Sequence, residues 1–299
     1  MRSGLACKSF IDDLPRVRVL TRSILEHNND DLPVTFFVPD AQRIVFRNTL
    51  PRAFDVIAEE EFVEPRCYEW LDGWRQQQVV KLCLHRLGLY DRFLVVDSDN
   101  YFIRDFSEAD LFGAPGEMRI VATTENYAYG AEPEIDALAL GLPRASIPKL
   151  PALRFGAGRG LMLPRCFLQD TNYKMCPPDL AAAVIPYAFD RQDGKRVRFL
   201  PTPFIWMTPV LKALDALLAE EGVTYVDLIH LSPWEVDWYG NFAFKFFGAQ
   251  MTPVRPLFLH FTLDEHLQAA RQAGVTHATL ARNFLGVALA ARHQLDHEL

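Results

Sequence analysis

Asp97-Ser98-Asp99 is the stretch of this chain with the clearest capacity for chemistry. On an extended backbone, residues two apart point to the same side, so both carboxylates would face one ligand. The acids follow Arg92-Phe93-Leu94-Val95-Val96, a continuous apolar run of the kind buried on both faces of a parallel sheet. Ligands of open α/β sheets bind beyond the carboxyl ends of such strands. Two carboxylates there would repel each other unless a cation or a basic group neutralised them. A hard divalent ion does so, and can bridge to substrate phosphates. The plain alternative is an Asp-rich turn. The extended stretch that follows, Asn100-Tyr101-Phe102-Ile103, favours a ligand lying across the sheet edge.

Other sets of residues carry weaker signals. Arg75, Gln76, Gln77 and Lys81 open a helical pattern ahead of the acidic strand, and Gln77 and Lys81, four apart, share a face. That face is either solvated or functional. Ser232-Pro233-Trp234-Glu235 reads as a capping box, with Glu235 reaching back to the Ser232 amide. Asp237 has no such structural account and could serve as a general base. Residues two apart on a helix diverge by roughly 200°, so at most one of Glu235 and Asp237 faces a common site. Arg154, Gly156, Gly158, Arg159 and Gly160 form a Gly-rich basic stretch able to bind phosphate, though without dinucleotide or P-loop spacing. No GxSxG elbow is present, which argues against an α/β-hydrolase.

The elements needed to position these groups alternate between strand and helix patterns, which indicates an α/β fold with a mostly parallel sheet flanked by helices. Strands are expected at residues 4–10, 34–38, 54–58, 92–96, 120–123, 160–163 and 257–261. Helices are expected at 12–28, 40–48, 74–87, 132–140, 179–188, 208–221 and 232–247, with two more beginning at Asp264 and spanning 279–293. Gly88 sits where the 74–87 helix should stop, and Thr208-Pro209 should cap and open another. His260 ends a late strand, and His230 ends a similar run. A loop with three prolines spans 143–151, but apolar content is similar on both sides, so a single domain is expected over 1–299.

Composition narrows the classes. Hydrophobic residues make up 49% and charged residues 23%, which excludes a disordered or fibrous chain. The formal net charge of -7 disfavours a nucleic-acid binder. No run approaches the ~20 apolar residues of a membrane helix. MRSGLACKSF has no apolar core or cleavage pattern, so no signal peptide is expected. Five scattered cysteines without CxxC argue against a disulfide framework or a cysteine-built zinc site, and fit a reducing cytoplasm.

Segment 90–106 resembles the DxD segment of GT-A type glycosyltransferases. A closer resemblance is to a bacterial glycosyltransferase-like family of unknown function. Its pattern is matched by Gly73-Trp74-Arg75-Gln76-Gln77-Gln78 with Lys81 before the acids, and by Trp234-Glu235-Val236-Asp237-Trp238-Tyr239-Gly240 after them. The resemblance covers residues 8–261. It implies a GT-A-like, Rossmann-like sheet with a C-terminal helical extension, its donor half over 1–125 and acceptor half over 126–299. The implied activity is transfer of a sugar from a nucleoside diphosphate-sugar to a hydroxyl on a glycan or lipid-linked acceptor, as in surface polysaccharide synthesis. Lipid-linked acceptors would be met peripherally at a membrane. Mn2+ or Mg2+ would sit on Asp97 and Asp99, with His260 as a third ligand. Ser9, Phe10, Arg75, Gln77, Lys81 and Ser98 would complete the donor site. Glu235 or Asp237 would act on the acceptor, with Trp206, Trp238 and Tyr239 lining its pocket. The rival readings are a nucleotidyltransferase using the same acids, and a non-catalytic nucleotide-sugar or carbohydrate binder.

Overall fold

Strand-forming apolar runs and one-faced helical stretches alternate through the first hundred residues, and they fold into a layered α/β core. The computed structural model describes residues 1–123, 129–130, 133–142, 199 and 203–289. In chain order, β1 (Ser3–Lys8), α1 (Leu14–His27), β2 (Val34–Val38), α2 (Asp40–Thr49) and β3 (Asp55–Ala58) come first. They lead to α3 (Gly73–Cys83), β4 (Arg92–Val96), β5 (Asn100–Phe102), α4 (Glu108–Phe112), β6 (Met118–Val121) and α5 (Pro133–Ala139). The later part holds β7 (Phe204–Met207), α6 (Thr208–Glu221), α7 (Tyr225–Leu231), α8 (Glu235–Phe247) and β8 (Met251–Val254). It ends with β9 (Phe258–Phe261), α9 (Asp264–Gln272), α10 (His277–Leu280) and β10 (Gly286–Leu289).

The central sheet runs β3-β2-β1-β4-β7. Its first four strands are parallel, and β7 pairs antiparallel with β4. All residues of β1, β2, β4 and β7 are buried, as expected of strands covered on both faces. The sheet therefore bears out the α/β, mostly parallel expectation. Register matters for the site. Cys7 lies beside Val96, Lys8 beside Phe37, and Val38 beside Ala58, so the carboxyl ends of four strands come level. The chain goes from β1 outward to β2 and β3, then crosses back to place β4 on the other flank of β1. This is the switch in strand order at which open α/β sheets form a crevice.

Two smaller sheets complete the frame, β5-β10-β9 and β6-β8. The chain thus leaves the central sheet at Val96 and enters another at Asn100, with Asp97, Ser98 and Asp99 spanning the gap. Leu289 N–H donates to the Asp99 carbonyl at 3.0 Å, tying that turn to β10.

Local chemistry explains the element ends. Asp72 caps α3 by accepting from Arg75 N–H at 3.1 Å. Beyond α3, a 3-10 turn over Leu84–Leu87 closes at Gly88 with φ 62, a left-handed conformation that glycine adopts without strain. Thr208 is the first residue of α6 rather than its cap, and its Oγ1 donates to the Tyr90 carbonyl at 2.6 Å. The run ending at His230 is helical, α7, because Thr224 and Asp227 form a capping box at its start.

The helix expected over 279–293 is not formed in its described part. Residues 277–280 make the short α10, and Gly286–Leu289 is a strand paired with both β5 and β9. A short apolar run suits a strand or a buried helix equally by pattern, and the free edges of β5 and β9 decide it. The strand expected at 160–163, the helix at 179–188, the proline-rich loop at 143–151 and the Arg154–Gly160 motif lie outside the described residues. Among the described residues no helix is long and apolar enough to cross a membrane.

At Gly286 the neighbouring strand and side chain approach very closely. A Cβ there would lie 2.4 Å from the Tyr101 carbonyl oxygen and 2.3 Å from the Phe258 ring. Gly286→Ala should therefore lower the unfolding free energy by about 1–3 kcal/mol, as overpacking does. Urea denaturation checks this, and an unchanged midpoint would contradict the packing described.

Candidate functional site

A cleft of about 500 Å³ opens at the level carboxyl ends of the parallel strands. Each strand contributes the residues at or just past its end: Lys8 and Phe10 from β1, Pro39 from β2, Glu59 from β3, and Asp97, Ser98 and Asp99 from β4. Asp13, ahead of α1, and the first turns of α3, through Gly73, Trp74, Gln76, Gln77 and Gln78, form the facing wall.

The acids are held by a defined set of contacts. Lys81 Nζ lies 2.8 Å from Asp97 Oδ1 and 3.5 Å from Glu235 Oε1. Gln77 Nε2 donates to the same Asp97 oxygen at 3.3 Å, and the Asp97 N–H donates to Asn100 Oδ1 at 2.9 Å. Asn100 Nδ2 in turn donates to Asp99 Oδ1 at 3.1 Å. Ser98 Oγ donates to Asp13 Oδ2 at 2.7 Å, and Asp13 pairs with Arg16 at 3.3 Å. Desolvation, and then the negative charge of Asp97, push the Asp99 carboxyl up to about 8, with Lys81 opposing. Burial alone would lower the Lys81 pKa, but Asp97 and Glu235 outweigh it, so the ammonium stays charged. Burial raises Glu235 above the usual carboxylate range, with Lys81 opposing.

A second ion pair sits at the other end of the cleft. Lys8 Nζ and Glu59 Oε2 are 2.6 Å apart and both residues are buried. Tyr68 OH donates to Glu59 Oε1 at 3.3 Å. Phe10, 39% exposed, and Trp74, 46% exposed, present aromatic surface beside these charges.

Several expected site residues do converge. Asp97, Ser98, Asp99, Phe10 and Gln77 line the cleft, and Lys81 grips Asp97 from beneath. Others do not. Ser9 is fully buried, its Oγ without a hydrogen-bond partner, while its neighbours Lys8 and Phe10 take the cleft positions. Arg75 is engaged by Asp72 at the start of α3 and lines a different pocket. Glu235 does not cap its helix through Ser232. It begins α8, Trp234 is the residue before it, and its carboxylate turns to Lys81. Glu235 thus reaches the lysine that grips the acidic turn. Asp237 is half-buried and does not line the cleft.

The aromatic residues expected to line an acceptor pocket are core instead. Trp206, Trp238 and Tyr239 are all 0% exposed. Trp238 Nε1 donates to the Ser232 carbonyl at 2.9 Å, Tyr239 OH accepts from Met207 N–H at 3.0 Å, and the Trp206 and Tyr239 rings pack 4.7 Å apart. Trp206 lies on β7, the edge strand of the central sheet, and Tyr239 of α8 packs against it. A helix hydrophobic enough to read as a sugar platform is here the lid of the core.

His260 is half-buried on β9 and does not line the cleft, though Asp97 is near enough to act on its charge. Desolvation pushes its pKa down to about 4, against the pull of Asp97, so the ring is neutral near pH 7. Among the described residues no three His, Cys, Asp or Glu side chains are grouped to hold a metal ion, so Asp97, Asp99 and His260 do not form a ready three-ligand cage. The donors that do face the cleft still suit a hard cation. Asp97 and Asp99 supply carboxylate oxygens, and Asp99 is a half-buried acid pushed toward its protonated form by desolvation and by Asp97. One or two carboxylates with the remaining positions filled by water and substrate phosphate is the usual way Mg2+ is held.

Sequence reasoning passed over Lys8, Asp13, Pro39, Glu59 and Trp74 as ligand-facing residues. The rule that singled out Asp97, the first polar residue past a parallel strand, applies equally to Glu59 after β3. Asp13 reads as a helix-start acid, and it is one, but Ser98 also reaches it.

The architecture is that of a Rossmann-like α/β protein with an acid-lined cleft at the switch in strand order. Residues 5–129 match a family model described as Family of unknown function (DUF6492). The matched span contains every residue that lines the cleft. No curated protein matches the chain.

Two expectations test the electrostatics. Lys81→Met leaves Asp97 and Glu235 without their shared cation and should destabilise the fold by about 3–5 kcal/mol in urea unfolding. Adding Glu235→Leu should recover part of that loss. Asp99 has a folded pKa of about 8, above its usual unfolded value. Its stabilising contribution is full below about pH 4 and is lost as pH rises through 8. Asp99→Asn should thus be more stable than the parent at pH 8, by roughly 1–3 kcal/mol with solvent in the cleft softening the effect, and the gap should close by pH 4. Denaturation at both pH values, without divalent ions, would show a variant no more stable at pH 8 if this account is wrong.

Proposed function

We propose that the cleft binds a nucleoside diphosphate-sugar and that the protein transfers the sugar to a hydroxyl acceptor. The supporting observation is the joint position of Asp97 and Asp99 with Phe10, Lys8 and Glu59 along one carboxyl edge, where the strand order reverses. Phe10 offers an exposed ring on which a base can stack. The Glu59 carboxylate can accept from ribose hydroxyls, and Lys8 keeps it oriented. The diphosphate would then extend toward the acidic turn.

Asp97 and Asp99 both face the cleft and the lysine lies against Asp97, so a diphosphate would reach the turn together with a cation that displaces the proton Asp99 otherwise holds near pH 7. Asp97 and Asp99 would hold Mn2+ or Mg2+ jointly with the phosphates, and the ion would stabilise the charge on the departing diphosphate. Gln77 and Lys81 fix the Asp97 carboxylate, and Glu235 fixes Lys81, so these three act as positioning residues. The sugar end of the donor would lie near Gln76, Gln77 and Trp74, whose amides and indole suit hydroxyls and a ring face.

Isothermal titration with UDP-, GDP-, ADP- and dTDP-sugars, with and without Mn2+, followed by assays of nucleoside diphosphate release, tests the reading. Metal-dependent binding and release of the diphosphate are expected. Asp99→Ala should lower that release about 100-fold or more while circular dichroism stays unchanged. An Asp99→Ala protein of full activity would overturn the proposal. Release of pyrophosphate from a nucleoside triphosphate would instead mark a nucleotidyltransferase, and binding without turnover a non-catalytic binder.

A further inference from the structure

Next to the cleft, and sharing the first turn of α3 with it, lies a smaller pocket of about 210 Å³ lined by Trp70, Leu71, Asp72, Arg75 and His230. Three features set it apart from an ordinary surface hollow. Trp70 is 56% exposed, yet its ring is held in place: Nε1 donates to the Cys67 carbonyl at 3.1 Å, and the ring meets His230 edge-on at 5.2 Å. Asp72 and Arg75 form an ion pair, so the pocket offers charged groups without net charge beside its apolar surface. His230 Nε2 is buried and has no hydrogen-bond partner.

These features select a ligand class. A phosphate would gain little from Arg75, whose charge Asp72 already cancels. A purely apolar ligand would desolvate the ion pair and leave the imidazole nitrogen unmatched. A pyranose ring fits all three: its C–H face lies on an indole, and its rim hydroxyls both donate to a carboxylate and bond an imidazole nitrogen. The volume is below the ~300–1,000 Å³ of drug-sized pockets and suits one ring.

The position also fits. Trp74, on the cleft wall, meets Trp234 edge-on at 5.4 Å, as Trp70 meets His230. Trp234 precedes α8 and His230 lies in the last turn of α7, so both contacts join the start of α3 to one connection. The pocket and the cleft are lined by neighbouring residues of one segment, Trp70 to Arg75 and Gly73 to Gln78. We propose that the Trp70–His230 pocket is a subsite for one pyranose unit of an acceptor glycan. The acceptor role rests on the transferase reading above; the binding of a pyranose does not.

Saturation-transfer difference NMR on the intact protein, with the methyl glycosides of glucose, galactose, mannose and N-acetylglucosamine as probes, tests it. At least one should receive saturation on its ring C–H protons. Trp70→Ala should cut that signal at least fivefold, Trp70→Phe should keep most of it, and His230→Ala should weaken it. Nucleotide-sugar binding by Trp70→Ala, measured by titration, should match the parent and shows that the variant is folded. No transfer to any glycoside, or an undiminished signal in Trp70→Ala, overturns the proposal even where nucleotide-sugar binds. A Trp70-dependent signal in a protein that binds no nucleotide-sugar upholds the pyranose site and removes its acceptor role.

Discussion

One buried ammonium joins three elements of this fold. Lys81 rises from α3, Asp97 hangs from the end of β4, and Glu235 opens α8. Each charge would be costly to bury alone, and a lone cation between two acids satisfies neither fully. The arrangement holds because the three come from separate layers that the core already fixes. It also keeps Asp97 oriented at the rim of the cleft. The acid that reads in sequence as a helix cap is drawn into this cluster, because a charged lysine nearby attracts a carboxylate more strongly than a single backbone amide does.

The cleft itself follows from register. Four parallel strands end level, so the residues just past each strand share one edge although up to ninety positions of sequence separate them. The edge is chemically mixed. Lys8 and Glu59 pair at one end, the acids stand at the other, and exposed aromatic surface from Phe10 and Trp74 lies beside them. The matched family region spans this whole edge and brings no activity with it, so the chemistry must be argued from the side chains themselves.

Much of the frame was legible in the sequence because its strands are continuous β-branched or aromatic runs. Val34–Val38 and Arg92–Val96 have the bounds that pattern suggests. The acidic turn and Gln77 and Lys81 were legible too, since strand ends and helix faces obey fixed periods. What escaped depends on contacts between distant segments. The stretch 286–289 is apolar in a way that suits helix or strand, and only pairing with β5 and β9 selects the strand. The burial of Trp206, Trp238 and Tyr239 depends on α8 lying against β7, which no local pattern encodes. Arg75 reads as a donor-site residue because its charge is visible, whereas its capture by Asp72 three residues earlier is a matter of helix geometry.

The turn from Asp97 to Asp99 is also a seam. Its first residue follows a strand of the central sheet, its last precedes a strand of another, and Leu289 of that second sheet holds the Asp99 carbonyl. The separation of the two carboxylates is therefore dictated by how the two sheets abut, not by the turn alone. A slide of one layer over the other would open or pinch the gap between the acids. Rigidity at the mouth of the cleft is in this sense inherited from packing many residues away.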